Sequence, residues 1–160
     1  MKSFFITILC LITLSAHARD EFAAESSIKN LEPIPAPIIS HLSAEIDLDK
    51  HGCKEKRLAD TLEGKEISLN SHVRTFLLKP KAMCLCGVYY CPVWIYKFKN
   101  NSAERLWFTA GTGEVEILDN RSHGYRQIKE SGGTAGHSYE RNWAWDGNKY
   151  TVVNDLSQKP

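Results

Sequence analysis

Beyond residue 18 the chain has no apolar run long enough to cross a bilayer. It also has no excess of either charge: 20 Lys and Arg stand against 19 Asp and Glu. That balance excludes the electrostatic footprint expected of a nucleic-acid or anionic-membrane binder. Catalytic signatures are missing as well. His41, His51, His72, His123 and His137 form no His-x-x-x-His or His-Glu-x-x-His pair, and there is no Gly-x-Ser-x-Gly elbow or phosphate loop. No Cys-x-x-Cys is present either, which removes the thioredoxin-like dithiol, whose low-pKa thiol sits at a helix N-terminus.

What is present begins with a leader. Lys2, the run FFITILCLITL and Ala16-His17-Ala18 have the three-part layout of a secretory signal over residues 1–18, too short to span a membrane. Cys10 follows Ile8 and Leu9 inside the apolar run, so no lipobox is expected. Cleavage after Ala18 removes Lys2 and no acid, leaving 19 bases against 19 acids. The expected address is the periplasm or the medium, where disulfides persist. Asn100-Asn101-Ser102 and Asn120-Arg121-Ser122 are glycosylation sequons in form, a pattern common by chance.

Residues 19–37 are polar and then proline-rich (Pro33, Pro35, Pro37) and read as a mobile linker. Ile38, Ile39, Leu42 and Ile46 then recur at helical spacing, predicting one amphipathic helix from Ile38 to Lys50, with a short helical turn at Glu55–Leu62. From Lys65 the texture is short β-branched and aromatic runs between Gly, Asn, Asp and Ser. Strands are predicted at 73–78, 91–99, 105–109, 114–118, 125–129, 139–145 and 149–153. Alternation in the second puts Trp94, Tyr96 and Phe98 on one face and Val93 and Ile95 on the other, so both faces are covered. Gly147-Asn148 reads as a hairpin turn that opposes Trp145 to Tyr150 and Trp143 to Val152, with the indoles packed in the core. SLNSHVRTFLL (68–78) and LDNRSHGYRQI (118–128) echo one another faintly. The expected fold is α+β, mostly antiparallel β, with one N-terminal amphipathic helix packed on a disulfide-stapled sheet. It forms a single domain over 38–155 with a tail at 156–160.

Four cysteines follow the leader: Cys53, Cys84, Cys86 and Cys91. Of three possible connectivities, the one with a Cys84–Cys86 bond is least favoured because it closes a strained small ring; if Gly87 to Tyr90 form a four-residue hairpin loop, Cys86 opposes Cys91 and Cys84 is left for Cys53. The chain-entropy relation assigns the short clasp about 2 kcal/mol and the long loop about 3.5 to 4 kcal/mol. The spacings do not suit a zinc knuckle, so no metal and no cofactor are expected. The clasped tip is expected to present Val88, Tyr89 and Tyr90 to solvent. His123, Gly124 and Tyr125, with the glycine-rich loop Ser131–Ser138, are further contact candidates. Glu114 and Glu116 alternate on one strand face and read as a solvated edge.

Cys86-Gly87 with Cys91-Pro92-Val93-Trp94-Ile95-Tyr96, then His123-Gly124-Tyr125-Arg126-Gln127-Ile128, then Trp143 to Tyr150, resembles small bacterial periplasmic proteins with FG-GAP-like β-hairpin elements. The resemblance implies a β-rich exported protein and supplies no catalytic residue. It departs from that pattern at Gln127, where an acid is usual, and at Asn70-Ser71-His72, where an Asp-rich calcium loop is usual. The functional expectation is a non-enzymatic binding protein, an inhibitor or immunity-type partner of another secreted or envelope protein. Its contact residues would be Val88, Tyr89, Tyr90, His123 and Tyr125. The alternatives are a small envelope hydrolase using His123 or His137 with a carboxylate, and a structural subunit of an envelope assembly.

Overall fold

The computed structural model describes residues 20–54, 56–87, 90–134 and 136–158. The leader expected over 1–18, and Val88 and Tyr89, lie outside them. Elements follow in the order β1 (Asp20–Ala23), α1 (Ala36–Ser43), α2 (Leu58–Thr61), β2 (Leu62–Asn70), β3 (Val73–Pro80), a 3-10 turn (Met83–Leu85), β4 (Cys91–Lys99), β5 (Ser102–Thr112), β6 (Glu114–Ser122), β7 (Tyr125–Thr134), β8 (His137–Trp145) and β9 (Tyr150–Gln158). Every strand pairing is antiparallel. Two successive meanders result: an inner sheet ordered β2-β3-β4-β5, and an outer sheet in which β6-β7-β8-β9 is extended by β1 alongside β6. Only Gly113 separates β5 from β6, so the chain changes sheet there without a loop.

The inner sheet is buried on both faces, as the alternation in β4 predicts. Trp94 and Tyr96 pack with Phe76, Leu78 and the helix residues Ile38 and Leu42. Val93 and Ile95 pack with Leu69 and Leu77 against Val115, Ile117 and Ile128 of the outer sheet. Ile38 and Leu42 are fully buried, worth about 1.5–3 kcal/mol each by transfer. Pro35 and Pro37 suit the start of α1, because the first helical N–H groups have no intrahelical acceptor. The helix stops at Ser43, short of the expected Lys50. The Asp47 carboxylate instead accepts the Asp49 and Lys50 N–H groups at 3.1 and 3.3 Å, and this local turn replaces the helical ladder.

Residues 20–37 are not a mobile linker. β1 pairs with β6 (Asp20↔Ile117 to Ala23↔Glu114), and Phe22 and Ile28 are buried in the core between the sheets. Glu32 then runs along β2: its N–H donates to the Gly64 carbonyl at 3.0 Å, and its carboxylate accepts the Glu66 N–H at 2.6 Å. Ile34 lies so close to Gly64 that a Cβ there would sit 2.9 Å from its side chain. A buried ion pair secures the segment. Glu63 and Lys79 are directly opposed on β2 and β3, 2.8 Å apart and almost inaccessible; Lys79 also donates to the Ala24 carbonyl and Glu63 accepts the Ile28 N–H.

Two further expectations are corrected. The tail at 156–160 is strand as far as Gln158, and the loop at 131–138 is the end of the β7–β8 hairpin, paired from Ser131↔Glu140 to Thr134↔His137. Gly132 serves packing rather than flexibility there, since a Cβ would meet the Tyr139 ring at 2.9 Å. The turn at Gly147 has the expected register, Trp145↔Tyr150 and Trp143↔Val152. Asn100 and Asn101 both adopt positive φ between β4 and β5, so the first sequon is a tight hairpin turn.

Candidate functional site

At one end of the molecule the β3–β4 connection carries both disulfides. Cys53 joins Cys84, tying the segment after α1 to this connection, and Cys86 joins Cys91 at the start of β4. Inside the small ring the Gly87 N–H donates to the Tyr90 carbonyl at 2.7 Å. Tyr90 does not stand out in solvent as expected. It is half-buried, and its Cβ lies where a side chain on Gly111 of β5 would be, 2.9 Å away. The reason is geometric: a strand residue without a side chain leaves a slot, and the adjacent aromatic fills it.

The opposite end gathers three hairpin turns. Asn70 Nδ2 at the end of β2 donates to the Gly124 carbonyl in the β6–β7 turn, and Arg121 Nη1 donates to both the Leu69 and Gly124 carbonyls. The two echoing segments of the sequence therefore carry two hairpin turns, at 71–72 and 123–124, set side by side. His123 and Gly124 both have positive φ, 48° and 81°, as a two-residue turn of this hand requires. Glycine adopts that conformation freely, whereas histidine does so at a steric cost. Side-chain contacts hold it: the exposed His123 has Nδ1 2.9 Å from the Trp145 carbonyl, which as an acceptor selects the tautomer with the proton on Nδ1.

Tyr125 stacks on Trp145 with centroids 4.6 Å apart and meets Tyr150 edge-on. Trp145 and Tyr150 are buried, and burial raises the Tyr150 hydroxyl well above the usual phenol range while it donates to the Arg126 carbonyl. Tyr125 is half-buried, so only part of its ring faces outward. Asp146 closes the third turn by accepting the Asn148 and Lys149 N–H groups, and these bonds hold its carboxyl below the usual range. Arg126 braces the same end from within, donating to the Ile117 and Leu118 carbonyls where the β6–β7 register slips.

The remaining candidates are scattered. His137 is exposed at the start of β8, and none of its described contacts is with a carboxylate. Glu116 is buried and ion-paired with Lys129; Glu114 is half-buried, and its shared hydrogen bond with Glu21 raises its carboxyl. The expectation of a solvated edge for these two residues is thus corrected, since β1 lies beside them. Sequence reasoning also missed Glu130. Fully buried between the sheets, it accepts from Thr109 Oγ1 at 2.7 Å and from Trp143 Nε1 at 3.0 Å, orienting that indole. A two-residue alternation from Ile128 was the available signal, but a glutamate in that series reads as outward-facing. Among the described residues no group of three or more His, Cys, Asp or Glu side chains is placed to hold a metal ion. No helix there is long and apolar enough to cross a membrane.

No protein-family model, curated protein or solved structure matches the chain.

Proposed function

We propose that this chain is a non-enzymatic binding protein acting outside the cytoplasm, an inhibitor or immunity-type partner of another secreted protein. The end built from the turns at 71–72, 123–124 and 146–149 is its contact surface. The observation that carries this reading is His123. An exposed side chain is kept in a left-handed backbone conformation and fixed on the Trp145 carbonyl, beside a tyrosine already stacked in place. Groups ordered before binding lose little entropy on contact, which is where recognition surfaces gain affinity. The leader-like N-terminus and the two disulfides support the address.

The test is affinity capture from an envelope extract with the wild type, His123→Ala and Tyr90→Ala, read by quantitative mass spectrometry. A specific partner should be retained by wild type and lost with His123→Ala. Loss with Tyr90→Ala alone would move the contact to the disulfide-clasped end, and recovery unchanged by both variants would reject the proposal.

A further inference from the structure

Sheet edges present unpaired backbone groups, and folded proteins usually cover them. This one covers β2 with the segment around Glu32, whose backbone and carboxylate satisfy Gly64 and Glu66. It leans Tyr90 and the Arg105–Glu45 ion pair on β5. β9 is different. It ends the outer sheet, and no described backbone hydrogen bond reaches its free side. After an extra residue at Val153 the ladder with β8 runs unbroken from Asn154 to Gln158. The apolar side chains on this edge are open: Val152 is 43% exposed, Val153 59% and Leu156 54%.

We propose that β9 is a strand-addition site for an extended, basic segment of another protein, which pairs along Asn154–Gln158 and lays apolar side chains against Val153 and Leu156. The charge of the sheet selects this occupant. Leu156 is directly opposed to Glu140, and the same outer face carries Glu21, Glu114 and Glu116 around Lys129, the one lysine there among the described residues. Lys129 is held above its usual range by its bond to Glu116 and by the charges of Glu140 and Glu114. An incoming lysine or arginine in the row beside Leu156 therefore meets an acidic field. A second copy of this chain, paired antiparallel about Asn154, would instead set Val152 beside Leu156 and bring no cation to the row of Glu140. Backbone pairing supplies affinity in this mode, and the alternating side chains supply specificity.

The inference rests on the reading of a protein-binding function but uses a different surface, and no described hydrogen bond of His123 reaches β9. The probe is a capped, fluorescent octapeptide alternating valine and lysine, compared with its valine–glutamate counterpart and with a version N-methylated at alternate residues. Expected results are saturable binding of the lysine peptide that weakens with salt, slowed hydrogen exchange in β9, and no binding of the methylated peptide. Leu156→Lys should weaken binding about tenfold or more, and His123→Ala should leave it unchanged. Val153→Lys serves if Leu156→Lys lowers the folded fraction. Equal binding of the glutamate peptide, or protection outside β9, would overturn the proposal. So would sedimentation showing a dimer that Leu156→Lys dissolves, since the occupant would then be a second copy. Peptide binding with no partner lost by His123→Ala would reject the turn-end surface while leaving the β9 site standing.

Discussion

Lys79→Met isolates what the buried ion pair contributes. In the native chain Glu63 and Lys79 lie 2.8 Å apart, each side chain about 3% exposed, and their remaining described partners are the Ile28 N–H and the Ala24 carbonyl. Removing the ammonium leaves a carboxylate out of water with one backbone donor, and breaking a buried pair from one side typically costs about 3–5 kcal/mol. For a domain of this size that is a substantial part of a total of about 5–15 kcal/mol. The melting temperature should fall by roughly 10 °C or more. Glu63→Gln/Lys79→Met removes both charges and keeps an acceptor for Ile28. It should recover most of the loss, giving a coupling of at least about 2 kcal/mol. Urea denaturation followed by tryptophan fluorescence measures these two variants and the single Glu63→Gln that completes the cycle, and hydrogen exchange at the Ile28 amide reports whether residues 24–28 detach first. A single-variant cost below about 1 kcal/mol, or additive effects, would mean that water reaches the pair and that the N-terminal segment is held by its strand pairing and by Phe22 and Ile28 without it.

The two disulfides should differ in worth. With separations of 31 and 5 residues, Cys53→Ser/Cys84→Ser should cost about 3.7 kcal/mol and Cys86→Ser/Cys91→Ser about 2 kcal/mol in the chain-entropy relation, and a reversed order in denaturant midpoints would refute it. Glu114 binds its proton more tightly in the folded chain because it shares a hydrogen bond with Glu21. The folded state then holds more protons than the unfolded one, so stability falls as pH rises from the usual carboxylate range through the raised value. Glu114→Gln should stabilise the protein at neutral pH by under about 1 kcal/mol and match wild type in acid, and parallel melting curves across pH would contradict this.

Local chemistry was legible in the chain. The Gly147-Asn148 turn, the alternation of Val93 to Phe98, the start of helix α1 and the cysteine pairing all depend on residues near in sequence or on simple ring geometry. The segment at 20–37 was misread because prolines and serines specify an extended backbone without saying whether a sheet lies beside it. Tyr90 and Glu130 were misplaced or missed for the same reason. Whether a side chain meets solvent, a glycine slot or a buried hydroxyl is set by the strand that arrives next to it.

What the sequence determined by itself, then, was periodicity: which residues alternate, where the backbone must turn, and which sulfurs can reach each other. Only the tertiary structure decided that the two Ser-His turns meet at one end, that β1 covers one side of the outer sheet, and that β9 is left open on the other. The physical reason is that hydrogen bonding and apolar burial between strands join residues far apart in the chain, and their partners are chosen by the whole fold rather than by either strand's own pattern.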